Sequence, residues 1–64
     1  MPMTPEEYNV QEKEVLEGVH PALANVLRMQ AYDRGHSCGH DEVLGILQGL
    51  VYEFRKVNEL LVRT

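Results

Sequence analysis

The sequence predicts an all-α fold: a small helical hairpin or three-helix arrangement with a long C-terminal amphipathic helix, assembling into a helical oligomer. Apolar residues in the last third of the chain recur every three or four positions, which is the period of one helix face. Prolines stand at two positions where helices would begin. A chain of 64 residues buries only about 60% of its unfolded surface, so its core is marginal unless copies associate.

The first helix is predicted over residues 5–17. Thr4 is the expected N-cap, Pro5 suits the first helical position, and Glu7 completes a capping box. Gly18 is the expected C-terminal stop. This helix is too short to be stable alone, so it must pack on the rest of the chain. The apolar residues that can make that contact are Tyr8, Val15 and Leu16.

A second helix is predicted over residues 21–34. His20 is its expected capping residue, and Pro21 suits its first position. The residues that then repeat at helical spacing are Leu23, Val26, Leu27 and Gln30.

The segment after residue 34 has two interpretations. Gly35 and Gly39 together disfavour a helix by roughly 2 kcal/mol relative to alanine, and Ser37 or Asp41 can cap a new helix. Both features favour a break. In a continuous helix, however, Ala31, Gly35 and Gly39 would form a strip of small residues that another backbone could approach closely.

A third helix is predicted over residues 41–62, completing a single domain over residues 1–64. Six apolar residues in it alternate at spacings of four and three, which is a heptad pattern. They are Val43, Leu47, Leu50, Phe54, Val57 and Leu61. Further apolar residues widen this face beyond what one short chain can cover. We therefore expect a homo-oligomer whose copies pair through the heptad pattern. Gly45 and Gly49 would permit close packing on another face.

Composition narrows the class of protein. Ten acidic residues against six lysines and arginines give a net charge of −4, with no basic stripe that would follow a phosphate backbone. We therefore expect no nucleic-acid partner. No apolar run reaches the roughly 18 residues of a membrane span, and the N-terminus lacks the features of a signal peptide. A single cysteine excludes an intrachain disulfide and favours the cytoplasm.

Residues 32–42 hold the candidate binding site, because two of the three histidines and the only cysteine lie there. Arg34 supplies a bidentate cationic donor, and free N–H groups at a helix start favour an anion. Tyr32 can stack on a base. The predicted ligand-binding residues for a small anionic ligand or nucleotide are Tyr32, Arg34, His36, Ser37 and His40. The alternative is a salt bridge from Arg34 to Asp33 or Glu42, with Ser37 acting only as a cap.

The same stretch also suggests a zinc site or a thiol active site. His36, Cys38 and His40 are zinc ligand types, but the chain has neither a Cys-x-x-Cys pair nor a His-Glu-x-x-His helix. Cys38 beside a histidine suggests a thiol nucleophile, yet a small helical chain rarely builds the walled pocket that catalysis needs. We therefore predict no enzyme activity, no cofactor and no metal, and keep a small zinc-binding or purely structural oligomerisation module as the alternative.

The run from Tyr32 to Val43 reads Tyr-x-x-Gly-His-Ser-x-Gly-x-x-Glu-Val. It resembles a pattern in small proteins of tailed bacteriophages. The positions that match are Tyr32, Gly35, His36, Ser37, Gly39 and Glu42. The resemblance implies a phage accessory protein acting in the host cytoplasm. The predicted function is counter-defence, either by sequestering a signalling nucleotide or by blocking a host protein.

Overall fold

The structure, a computed structural model, describes residues 3–36 and 39–63. Those residues form helices and turns, with no strand, so the all-α prediction is confirmed for them. The helices within these two ranges are α1 (Pro5–Val15), α2 (Pro21–Gly35), α3 (His40–Glu53) and α4 (Arg55–Arg63). No helix of the described residues is both long and apolar enough to pass through a bilayer.

Both predicted caps of the first two helices are present. Thr4 Oγ1 accepts a hydrogen bond of 3.2 Å from the backbone N–H of Glu7 at the start of α1. His20 Nδ1 accepts one of 3.2 Å from the backbone N–H of Ala22 at the start of α2. Each bond satisfies one of the N–H groups that a helix start leaves without an intrahelical partner.

α1 is two residues shorter than predicted. It ends at Val15, and the chain then turns through Gly18, which has φ of +82°. A left-handed φ is open to glycine at little cost because glycine has no Cβ. The backbone N–H of Val19 bonds the carbonyl of Leu16 at 3.0 Å, which closes this turn.

The helix is interrupted between α2 and α3, as the two glycines favoured. α2 ends at Gly35, and α3 begins at His40 with Gly39 as its N-cap, which provides no side-chain hydrogen bond. Asp41, one of the two predicted caps, lies instead in the first turn of α3, where its charge favours the positive end of the helix dipole. The other predicted cap, Ser37, and the neighbouring Cys38 lie outside the described residues.

The long C-terminal helix is divided at Phe54, whereas the sequence predicted one helix over residues 41–62. Phe54 has φ of −99° and ψ of 15°, which departs from helical values, although its N–H still bonds the carbonyl of Leu50 at 2.9 Å. α4 follows at once, and its Asn58 reaches the turn between α1 and α2. Asn58 Oδ1 accepts from the N–H of His20 at 2.8 Å, and Nδ2 donates to the carbonyl of Gly18 at 3.0 Å.

The core forms where α3 packs against both α1 and α2. Its largest fully buried side chains are Leu27 of α2 and Leu47 of α3. Around them lie the other members of the cluster, Tyr8, Leu23, Ala31, Val43, Leu44 and Leu50. Val15 and Leu16, predicted to hold the first helix in place, are partly buried against this cluster.

The heptad prediction needs a correction at three positions. Val43, Leu47 and Leu50 were predicted to contact other copies, but their exposed fractions are 5, 0 and 2% within a single chain. They cannot line an intermolecular surface in this fold. The physical reason is that α1 and α2 together cover the first half of the apolar face, which the heptad pattern alone does not reveal.

α3 packs tightly against α2 at Gly35. A Cβ atom built at Gly35 would lie 2.9 Å from Cγ2 of Val43 and 3.3 Å from Cδ1 of Ile46. The 2.9 Å distance is shorter than ordinary van der Waals contact, so a larger residue at this position requires the Val43 side chain to shift. Gly45 and Gly49 differ, because a Cβ atom there would meet no atom of the described residues within 4 Å.

Replacing Gly35 by alanine should lower the free energy of unfolding by about 1–3 kcal/mol, because the added methyl group overpacks the contact with Val43. Urea denaturation at neutral pH would measure it. Gly49→Ala is the matched control, and it should raise stability by about 0.5–1 kcal/mol through helix propensity alone. Equal effects of the two substitutions would contradict the close approach.

Replacing Asn58 by alanine should cost about 1–3 kcal/mol, because the His20 N–H and the Gly18 carbonyl would both lose their partner. Hydrogen exchange would show the loss first in the amides of α4. Asn9→Ala, at an exposed position of α1, should leave both quantities unchanged. An unaltered exchange rate in α4 would show that Asn58 does not hold this helix.

Candidate functional site

The described surface carries an open groove of about 540 Å³ along the outer side of α2. Its described lining residues are Met29, Gln30, Tyr32, Asp33 and His36. A second groove of about 430 Å³ adjoins it, since Met29 and Tyr32 line both. Since the described lining comes from one helix and the residue after it, the site is a surface groove and not an enclosed pocket.

The residues on the solvent-facing side of α2 lie on one face of the helix. At 100° per residue, Val26, Met29, Asp33 and His36 fall within about 80° of one another, and Tyr32 borders them. We call these five residues the α2 outer face. All five are exposed. The opposite side of α2 carries the buried leucines, so packing of α2 into the core leaves this face to solvent.

Tyr32 is held in place from α1. Its Oη donates a hydrogen bond of 2.8 Å to Oε2 of Glu12, a carboxylate with only 8% of its surface exposed. The other carboxylate oxygen lies 3.6 Å from Nη1 of Arg28, and Arg28 Nη2 also donates to Asn25 Oδ1. A buried carboxylate requires such partners. The network therefore fixes the Tyr32 ring at the edge of the groove.

Tyr8 lies behind Tyr32 in the core. Its ring centroid is 6.0 Å from that of Tyr32 and 5.1 Å from that of His40, both at tilted angles that aromatic pairs favour. Burial, with Tyr32 and Glu12 adding to it, raises the pKa of the Tyr8 hydroxyl far above its usual value. Burial raises the pKa of Tyr32 as well. The Tyr8 hydroxyl has no hydrogen-bond partner among the described residues.

Replacing Tyr8 by phenylalanine should change the free energy of unfolding by less than about 1 kcal/mol at pH 7, because no hydrogen bond is lost. A pKa raised in the folded state contributes stability below about pH 10, and that contribution is lost as the pH rises further. The Tyr8→Phe variant should therefore lose less stability between about pH 9 and pH 11 than the wild type.

Urea denaturation across that range would measure the difference, with Tyr52→Phe as the control at an exposed position. A loss above about 2 kcal/mol for Tyr8→Phe at pH 7 would show that the hydroxyl makes an essential hydrogen bond.

The predicted ligand-binding residues do not all converge. Tyr32 and His36 line the groove, whereas His40 begins α3 and stacks on Tyr8. Arg34 is exposed, but it stands two residues after Tyr32 and so projects about 200° away around the helix. Ser37 lies outside the described residues. The groove thus lacks the arginine on which a phosphate site was expected to depend.

The charge of the groove also differs from that of an anion site. Asp33 contributes a carboxylate to its lining. Arg28 lines the adjoining groove, but it is already paired with Glu12. Apolar contact comes from Met29, which is 72% exposed, and from the Tyr32 ring. This chemistry suits an apolar or cationic group better than a phosphate.

No group of three metal-ligating side chains comes together in the described part of the chain. His36 and His40 belong to different segments there, one after α2 and one opening α3. Cys38 lies outside that part, so the alternative of a zinc site at His36, Cys38 and His40 is not tested by the described residues.

The second half of the heptad pattern remains at the surface. Val57 is 43% exposed, while Phe54 and Leu61 are partly buried against the core. Two further apolar residues of α4 are more exposed than any of these, Leu60 at 62% and Val62 at 60%. The most exposed apolar residues of α4 are therefore Leu60 and Val62, which the heptad prediction did not include.

Comparisons of the chain with protein-family models, with curated proteins and with solved structures found no match. The resemblance to the phage pattern accordingly stays a prediction.

Sequence reasoning missed Glu12, Met29 and Asp33 as parts of the site. Tyr8 and Glu12 stand four apart, a spacing that places them on one helix face and that would have indicated a buried acid beside a tyrosine. Met29 gave no signal, because an apolar residue in an apolar helix is expected in the core.

Proposed function

We propose that the chain is a non-enzymatic binding protein that docks a protein partner on the α2 outer face. In the phage setting that the Tyr32–Val43 pattern implies, the partner is a host protein, and the bound chain blocks it. The observation that carries the proposal is the joint exposure of Val26, Met29 and Tyr32, at 48, 72 and 44%.

Neighbouring apolar residues on a surface mark a protein contact when they form a patch with polar residues at its edge. The α2 outer face has this composition, with Asp33 and His36 beside the three apolar residues. Exposed methionine is typical of surfaces that accept partner side chains, because its flexible thioether adapts to their shape. Tyrosine, here fixed by Glu12, is among the residues that contribute most to binding energy.

The kind of partner follows from the shape and charge of the groove. A shallow channel along one helix fits a second amphipathic helix, whose side chains at positions i, i+3 or i+4 and i+7 would enter it. Asp33 favours a partner with lysine or arginine beside its apolar residues. The same carboxylate would repel a phosphate, which is why we favour a protein over a signalling nucleotide as the ligand.

A site-specific crosslinking experiment tests the proposal. A photoreactive phenylalanine placed at Met29, in protein expressed in its host, should yield one discrete crosslinked partner. The same residue at Tyr52, which is 67% exposed on α3, serves as the matched control and should yield none. Asp33→Lys combined with the position-29 probe should reduce the yield several-fold, because it reverses the charge that favours a basic partner.

A thermal-shift screen with nucleotides tests the alternative that the ligand is a nucleotide. We expect cyclic dinucleotides and nucleoside monophosphates to leave the melting temperature unchanged. The proposal would fail if a nucleotide stabilised the protein and Arg34→Ala abolished the effect while Met29→Glu did not. It would equally fail if positions 29 and 52 captured the same set of proteins.

A further inference from the structure

The outer side of α1 combines an apolar residue with acidic neighbours. Val10 is 58% exposed, although a valine on a short helix would normally be buried. Glu6 and Glu14 stand four residues to either side of it and are also exposed. α1 as a whole carries four glutamates and one lysine, a charge of −3. We call Glu6, Val10 and Glu14 the acidic face.

The outer side of α4 has the opposite composition. Leu60, 62% exposed, lies between Lys56 four residues before it and Arg63 three residues after it. All three are exposed and fall within about 60° of one another around the helix axis. α4 carries three cations and one glutamate, a charge of +2. We call Lys56, Leu60 and Arg63 the basic face.

The two faces are opposite in charge and similar in spacing, since the charged residues stand four and four positions from Val10, and four and three from Leu60. With the helices side by side, Val10 can contact Leu60 while each glutamate of the acidic face meets a cation of the basic face. From this complementarity we infer that a second copy of the chain is the occupant: α4 of one copy packs by its basic face on the acidic face of its partner. The inference goes beyond the proposed function, which uses the separate outer face of α2.

Each chain carries both faces, so two copies related by a two-fold axis make this contact twice. Such closure is the commonest symmetry of homo-oligomers. The contact differs from pairing through Val43, Leu47 and Leu50, which the core has already buried. It depends on exposed ion pairs around a small apolar centre, so the dimer should be weak, with a dissociation constant in the micromolar range that rises with salt.

Two charge-reversed variants test this pairing. One carries Glu6→Lys and Glu14→Lys, which makes the acidic face basic. The other carries Lys56→Glu and Arg63→Glu, which makes the basic face acidic. In either variant alone both contacts bring like charges together, so the dissociation constant should rise about tenfold or more. An equimolar mixture of the two should form a mixed dimer, because both contacts become complementary again.

Sedimentation velocity from about 10 to 300 μM at low salt would measure these constants. Circular dichroism would establish that each variant is folded. Glu42→Lys with Glu53→Lys, at exposed positions of α3, makes the net charge four units more positive, as Glu6→Lys with Glu14→Lys does, and it should leave dimerisation unchanged. A monomeric wild type over this range would overturn the inference. So would a dimer that neither reversal weakens, or a mixture that stays monomeric.

Discussion

The close approach of α2 to α3 at Gly35 determines how the rest of the molecule is arranged. With no Cβ at that position, Val43 and Ile46 of α3 can lie against the backbone of α2. The leucines of both helices then meet in one cluster, and α1 completes it through Tyr8. Because the buried side of α2 is fixed in this way, its opposite side, with Met29 and Tyr32, is left exposed.

The same packing divides the apolar residues of the C-terminal region between two roles. Those before Phe54 belong to the core of the chain, and several of those after it remain at the surface. The two hydrogen bonds of Asn58 hold α4 near the turn between α1 and α2. Because α4 is short and has few contacts with the core, packing on a neighbouring molecule would stabilise it.

Local signals in the sequence predicted the beginnings of the helices well. Thr4 and His20 cap α1 and α2 because capping depends on a few adjacent residues. Coverage of an apolar face depends on distant parts of the chain, so the heptad pattern could not distinguish Leu47, which is buried, from Val57, which is exposed. The division at Phe54 was missed for a similar reason, since it accompanies tertiary contacts of α4.

The candidate site was predicted only in part. Tyr32 and His36 lie in the groove, but Arg34 projects from another side of α2. The contribution of Glu12 could not be foreseen from residues 32–42, because it comes from α1 through a hydrogen bond across 20 positions of sequence.

One chain buries the first half of the heptad pattern by itself, and the dimer that we propose forms instead through α1 and α4. Hydrogen–deuterium exchange, followed by mass spectrometry at low and high protein concentration, tests both statements. We expect the amides of residues 43–50 to be protected equally at both concentrations, while those of α1 and α4 become more protected at the higher one. Protection of residues 43–50 that increases with concentration, with α1 and α4 unchanged, would contradict both.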